Sequence, residues 1–425
     1  MDLSRPSPIA RAVPLFAAVA RPLQAFLRLE AASGIVLLSC ALTALALANS
    51  GASDVYRAVL AAPLELAAGP LRARFTLSAL VNDGLMTIFF FVVGMEIKRE
   101  LAVGELRTFR QAMLPLIAAV GGMLVPAAIY LAFNTSGPGQ PGWGIPMATD
   151  FAFCVGVLTL LRSRVPHGLL VFVTALAIFD DIGGILVIAV FYGHGLSVAW
   201  LAAAAAVVGV LMGMSRGHVG SGVAYAVVGA ALWYTLHHAG IHATIAGVIA
   251  GLSVPARARS TPRAMDEELE SPLTRFVHLL HPWVAFGVMP LFALTNSGVD
   301  LRALDSAQIT GPIAVGTGVA LLVGKQLGIF LFAWLAVRVG AAPMPGGAST
   351  GKLLGVSTVA GIGFTVALFI AGLAFPEAPE LLDQAKVGIL AGSLVSGVAG
   401  AIVLRFTAST RAPTAERGLQ SVGSC

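Results

Sequence analysis

Residues 168–192 read GLLVFVTALAIFDDIGGILVIAVFY. Apart from the adjacent Asp180 and Asp181 the run carries no charge. It exceeds the length of about 20 residues that a helix needs to cross roughly 30 Å of hydrocarbon. It therefore reads as a membrane span with two carboxylates near its middle. A charge at that depth costs a few kcal/mol or more and marks an ion or proton path. Neighbouring helix residues point about 100° apart, so the two acids serve different contacts. With no charged neighbour in sequence, they require a cation, a proton or Lys325.

Runs of the same kind recur along the chain, at 32–49, 77–102, 113–134, 144–161, 168–192 and 197–214, and again at 221–236, 240–254, 276–296, 312–337, 352–375 and 383–407. The sequence thus predicts an all-α polytopic membrane protein of about twelve transmembrane helices. Composition agrees: 57% of the 425 residues are hydrophobic, 11% are charged, and the mean hydropathy is +0.88. A soluble domain carries roughly 25% charge. One transmembrane domain over 32–407 is expected, with a segment 1–31 before it and a disordered tail at 408–425. The arginines ahead of the first run resemble the start of a signal peptide. That run is long, however, and ends in Asn49-Ser50-Gly51 without a cleavage pattern, so an uncleaved first span is expected. Cys40, Cys154 and Cys425 are scattered and show neither a disulfide framework nor metal-ligand spacing.

The net charge of +5 and a pI near 9.4 do not imply nucleic acid, because basic residues in membrane proteins mark cytoplasmic loops. With twelve spans and a cytoplasmic N-terminus, twenty of the 26 Lys and Arg fall on inside segments. Five, namely Arg57, Arg72, Arg74, Arg302 and Lys386, fall outside, and Lys325 lies within a span. That bias places both termini in the cytoplasm. Residues 51–76 form a longer outside loop, in which Leu64-Glu65-Leu66 and Leu71-Arg72-Ala73-Arg74-Phe75 flank Gly69-Pro70 and read as a small β-hairpin. Residues 255–275, with Asp266, Glu267, Glu268 and Glu270, read as a solvated inside linker.

Other ionisable residues share the apolar runs: Asp83, Glu96, Asp150 and Lys325. Glu96 adjoins Lys98 and Arg99, so an interfacial ion pair explains it as readily as an ion path. Asp150 follows Pro146-Met147-Ala148-Thr149, and span 352–375 carries a similar weak point, Gly355 through Thr365. Interrupted spans at corresponding places in two halves point to broken helices at a midplane site, and to inverted repeats at about 113–192 and 312–407. A broken helix exposes positive N–H ends and negative C=O ends. Asp150 can neutralise the former and Lys325 the latter.

These residues resemble the NhaA family of bacterial sodium/proton antiporters. The resemblance rests on Gly94-Met-Glu-Ile-Lys-Arg-Glu-Leu101, Ala148-Thr-Asp-Phe-Ala-Phe153 and Ala177-Ile-Phe-Asp-Asp-Ile-Gly183. It continues through Gly240-Ile-His-Ala-Thr244, His281-Pro-Trp-Val284, Gly324-Lys-Gln-Leu-Gly328 and Gly361-Ile-Gly-Phe-Thr365. By that resemblance Asp181 is the principal sodium ligand and Asp180 its proton-exchanging partner, paired with Lys325. Thr149 and Asp150 stabilise the crossing of the broken helices and help hold the ion. Glu96 lines a cytoplasmic funnel, and Asp83 and His242 are further candidates for the funnel or the pH response. The resemblance implies a multi-pass protein of the bacterial inner membrane. It would export one Na+, or Li+, for two H+, pair as a homodimer through loop 51–76, and serve pH homeostasis and salt tolerance. No cofactor and no enzymatic step is expected. One departure concerns pH: strongly alkaline-activated relatives carry Glu directly before the segment read here as His278-Leu-Leu-His-Pro-Trp283, where this chain has Val277.

Two other readings fit buried acids. A sodium-coupled symporter of an organic anion needs a further basic pocket, for which Lys325 is the only buried cation the sequence offers. A passive channel would expose Asp180 and Asp181 to both sides at once.

Overall fold

Hydrocarbon leaves backbone groups no partner but one another, and the chain answers with helices. The computed structural model describes residues 30–68, 71–104, 106, 108–193, 195–256 and 271–407. The segment before the first span, the acidic cluster 266–270 and the tail 408–425 lie outside the described residues. Helix α1 spans Glu30–Ala48, and a short α2, Ser53–Leu60, follows. Strands β1, Pro63–Ala68, and β2, Leu71–Thr76, pair antiparallel in the register Ala68↔Leu71. Then come α3 (Leu77–Ala102), α4 (Phe109–Phe133), a 3₁₀ segment Gln140–Met147 leading into α5 (Phe151–Leu160), α6 (His167–Phe191) and α7 (Val198–Arg216). The second half holds α8 (Gly222–Ala239), α9 (Ile245–Ser253), α10 (Pro272–Asn296), α11 (Ser306–Arg338), the bent pair α12 (Thr350–Val359) and α13 (Phe364–Ala374), and α14 (Pro379–Phe406).

Among the described residues, eight helical stretches are long and apolar enough to cross a membrane, and ten if each of two bent pairs counts as one span. Their outward faces are apolar: Leu42, Leu124, Leu160, Val190, Val198 and Val223 are all more than half exposed. Such a surface is a liability in water and fits lipid. This is a membrane protein.

The structure departs from the sequence reading in three places. The outside loop 51–76 is not all loop: Ser53–Leu60 is helical, with Asp54 and Arg57 paired at 2.9 Å one turn apart. The run 240–254 is shorter as a helix, because Gly240 ends α8 in a left-handed turn (φ 81°) and α9 begins only at Ile245. Lys325 is also not the only buried cation, since Lys352 in the first turn of α12 is just 4% exposed.

Close approach of backbones sets the geometry around the site. A Cβ on Gly121 of α4 would collide with the Gly328 carbonyl of α11, and one on Gly328 with the Gly121 carbonyl. With both positions bare, the helices touch, as small residues permit in membranes. Lys325, one turn before Gly328, is thereby carried into the bundle. It ends a π turn, Ala320–Lys325; Asp83 lies within another, Leu80–Leu85. Such bulges are common at functional sites.

Candidate functional site

Two interrupted helices cross at the centre of the bundle. On one side, residues 148–150 are extended between the 3₁₀ segment and α5; on the other, 360–363 separate α12 from α13, whose axes differ by 47°. The strands of chain bond directly: Asp150 N–H donates to the Ile362 carbonyl at 2.7 Å, and the Cys154 thiol to the Val359 carbonyl at 3.2 Å. A side chain on Gly361 would overlap Ser396 Oγ, and one on Gly363 would press on Leu321.

Asp150, fully buried, lies across the two helix starts. Its Oδ1 accepts from Phe153 N–H at 3.1 Å, capping α5. Its Oδ2 accepts from Thr365 N–H at 2.9 Å and from the Thr365 hydroxyl at 2.5 Å, at the start of α13. One carboxylate thus faces both positive ends. The other two ends are met by neighbours. Lys325 Nζ donates to the Met147 carbonyl, the close of the 3₁₀ segment. On α14, Ser393 Oγ accepts from Gly363 and Phe364 N–H, both at 3.2 Å, while Ser396 Oγ donates to the Thr358 carbonyl at 2.7 Å. These serines drew no notice in the sequence, where a lone hydroxyl in a span is ordinary; the spacing of Ser393 and Ser396 on one helix face was the available signal.

Asp180 and Asp181 part company as adjacent helix residues must. Asp180 is buried, and its Oδ2 meets Lys325 Nζ at 2.8 Å and Thr149 Oγ1 at 2.6 Å. Thr149 Oγ1 also lies 3.0 Å from the Ala360 carbonyl, so its single proton is shared between two acceptors. Asp180 Oδ1 is buried with no hydrogen-bond partner among the described residues. Asp181 turns the other way, into two adjoining cavities of about 420 and 190 Å³.

The larger of these is also lined by Glu96, Arg99, Val277, His278 and His281. Glu96 lies 3.8 Å from His281 Nε2, whereas Arg99 pairs with Glu100 at 3.6 Å. Among the described residues no ion pair joins Glu96 to Lys98 or Arg99, the alternative that the sequence also offered. Asp83 and His242 do not join this cavity. Asp83 precedes Glu96 on α3 by 13 residues, about 20 Å of helix, and faces a separate cavity of about 440 Å³. There Asp83 Oδ1 is 3.8 Å from His242 Nε2, and His242 Nδ1 contacts Thr244 Oγ1 at 2.8 Å, where α9 begins.

The site thus gathers Thr149, Asp150, Asp180, Asp181 and Lys325, with Glu96 on the walls of the cavities that Asp181 enters and the Asp83–His242 pair in a separate one. Comparison with known proteins bears on what such a site belongs to. The profile of the family described as Na+/H+ antiporter 1 matches residues 24–404. The chain is 66% identical to the Na(+)/H(+) antiporter NhaA of Anaeromyxobacter sp., over 99% of this chain and 100% of that one. It is 55% identical to the Na(+)/H(+) antiporter NhaA 1 of Myxococcus xanthus, over 94% of this chain and 96% of the other. With the Na(+)/H(+) antiporter NhaA 2 of Pseudomonas syringae pv. syringae it shares 48% identity over 89% of this chain and 94% of the relative. A match over nearly the whole length, with the crossing and its carboxylates inside it, decides the matter: the chain belongs to the Na+/H+ antiporter 1 family, whose members are transporters and not enzymes.

Proposed function

We propose that this protein exports Na+ from the cytoplasm in exchange for H+ across the bacterial inner membrane. The observation that carries the reading is the division of labour between adjacent acids: Asp180 is tied to Lys325, and Asp181 stands open to a cavity. Sodium is a hard cation and takes oxygen ligands, as related hard cations do. Asp181 and the unpartnered Asp180 Oδ1 supply charged oxygens, and the Thr149 hydroxyl stands beside them. A sodium ion entering from the Glu96 cavity competes with protons for the two carboxylates and with Lys325 for Asp180. Binding one or the other, at a site that faces one side at a time, is sufficient for antiport and needs no cofactor.

Li+, a smaller hard cation, is carried as well. Two protons per sodium displace one net charge per cycle, so a potential of about 100 mV contributes about 2.3 kcal/mol. That is roughly a 45-fold sodium gradient, which suits pH homeostasis and salt tolerance. Twelve spans, with repeats at about 113–192 and 312–407, give the two crossing breaks their inverted relation. The positive-inside bias sets the Glu96 cavity and both termini in the cytoplasm, and the Asp83 cavity outside. The hairpin β1–β2 leaves strand edges on which a second copy can pair, as a homodimer. The reading is tested by sodium-dependent proton release in everted vesicles, wild type beside Asp181→Asn, over a pH series from weakly acidic to alkaline. Release in wild type that is absent from the variant supports it; equal release in both refutes the site.

Val277 lies in the same cavity wall as Glu96, His278 and His281 and is 2% exposed. His278 and His281 share this cavity with Glu96, Glu100, Asp181 and Arg99, and no acid stands at position 277. A carboxylate added at 277 puts one more negative charge in this wall, beside both rings. Val277→Glu is expected to move the midpoint of exchange to higher pH without abolishing transport, measured at saturating and at low sodium. A midpoint within a few tenths of a unit of wild type would show that this position does not set the response.

A further inference from the structure

Two cavities approach the centre from opposite ends and share no lining residue. Asp181, Thr149, Thr365 and Val366 line the one that holds the ion site. Asp83, His242, Phe292 and Phe369 line the other. On α13 the lining passes from Val366 to Leu368 and Phe369, and on α10 from Met289 to Phe292. In each case the change takes about one helical turn, roughly 5 Å. The partition is therefore thin.

What fills it is a cluster of rings centred on Phe369. Its centroid lies 5.4 Å from that of Phe90 on α3 and 6.3 Å from that of Phe292 on α10. The His242 imidazole meets it at 5.4 Å with the planes at 88°. Phe90, Phe292 and Phe369 are almost completely buried. None offers an oxygen or nitrogen, so an ion crossing here would exchange its water for carbon, at a cost of many kcal/mol. Phe369 also stands about one turn beyond Thr365, which holds Asp150. Movement of α13 thus moves the ring and the site together.

We propose that Phe369 is the outer gate of the ion path, its ring sealing the ion site from the outward cavity while the site is open to the Glu96 side. The proposal rests on the antiport reading, in which a site open to one side needs a seal toward the other. The ring is held by aromatic neighbours on two other helices and by the His242 edge, so withdrawal of α13 unseals the path without unfolding anything. Truncation of the ring joins two cavities across a partition one turn thick.

The test uses purified protein in proteoliposomes. With an imposed pH gradient and no sodium, wild type holds the gradient and Phe369→Ala is expected to dissipate it roughly tenfold faster, a barrier lowered by about 1.4 kcal/mol. Phe369→Leu, which keeps an apolar core but lacks the planar ring, leaks less than Phe369→Ala and more than wild type, and carries the test if Phe369→Ala fails to fold. In a background with Cys40, Cys154 and Cys425 replaced, Val366→Cys should react with an impermeant thiol reagent from the Asp83 side only when Phe369 is truncated. Variants that are as tight as wild type, with Val366→Cys unlabelled from that side, overturn the gate. Sodium-driven exchange by wild type in the same vesicles checks the antiport reading separately: its absence counts against that reading, while active wild type beside a tight variant counts against Phe369 alone.

Discussion

Asp181→Asn is expected to abolish sodium-driven proton flux in everted vesicles while leaving a folded protein. An amide is nearly the same size as a carboxyl, and Asp181 has no hydrogen-bond or ion-pair partner among the described residues for the change to break. What disappears is the charge that attracts sodium and the proton that replaces it. Removing one member of a buried charged contact costs about 3–5 kcal/mol, or roughly a hundredfold to a thousandfold and more in sodium affinity. The loss also shows without transport. Ligand binding to the native state raises its stability in proportion to ln(1 + [L]/Kd), so sodium should raise the melting temperature of wild type and not of Asp181→Asn. Asp180→Asn loses exchange by another route, since it also strips Lys325 of its counter-charge. Normal flux in Asp181→Asn would remove Asp181 from the ion site.

Lys325→Ala is expected to be the most destabilising single change in the core. Lys325 is fully buried, with Asp180 and the Met147 carbonyl as its acceptors. Without it, Asp180 keeps only the Thr149 hydroxyl, and the 3₁₀ segment keeps an unmet negative end. A broken buried pair costs about 3–5 kcal/mol, so the melting temperature in detergent should fall and the pH profile of any residual exchange should change. The double variant Asp180→Asn/Lys325→Ala should recover part of the lost stability, because the orphaned charge is gone; such a cycle isolates the pair term. A melting temperature and pH profile both equal to wild type would show that the pair does not hold the site.

Much of this was legible in the sequence, for reasons that differ by element. Long apolar runs announce helices because nothing else satisfies a backbone in lipid, and Asp180-Asp181 stood out because charge is scarce there. The interruptions at Thr149-Asp150 and Gly361-Gly363 showed through their Gly and Pro content. The hairpin showed through alternation about Gly69-Pro70. Helix Ser53–Leu60 did not: it is too short for a span, and its Asp54 and Arg57 read as loop polarity. Pairing across the bundle was less accessible. The Asp180–Lys325 contact joins residues 145 apart in sequence; scarcity of charge made Lys325 a candidate partner of the two acids, and family resemblance alone assigned it to Asp180. Nor did residue type separate Asp83 from Glu96, although 13 residues of helix place them at different depths. Contacts of Ser393, Ser396 and Phe369 depend on which face of a uniformly apolar helix turns inward, and lipid-facing and core-facing residues there are chemically alike.

The serine caps on α14 have a mechanical consequence. Ser393 holds the start of α13 and Ser396 the end of α12, so both lips of the break are pinned to one straight rod. The break is therefore braced from both sides: α12 and α13 are each tied to α14 at the depth of the site. Among the described residues, this unit bonds to the opposite crossing segment through Thr149, Asp150 and Cys154, which meet Val359, Ala360, Ile362 and Thr365. On the antiport reading proposed above, slip between the halves runs along this seam, beside Asp180. On that reading the shear plane and the cargo berth are the same place, and a sodium ion or a proton at the carboxylates acts on the slip directly, with no lever between.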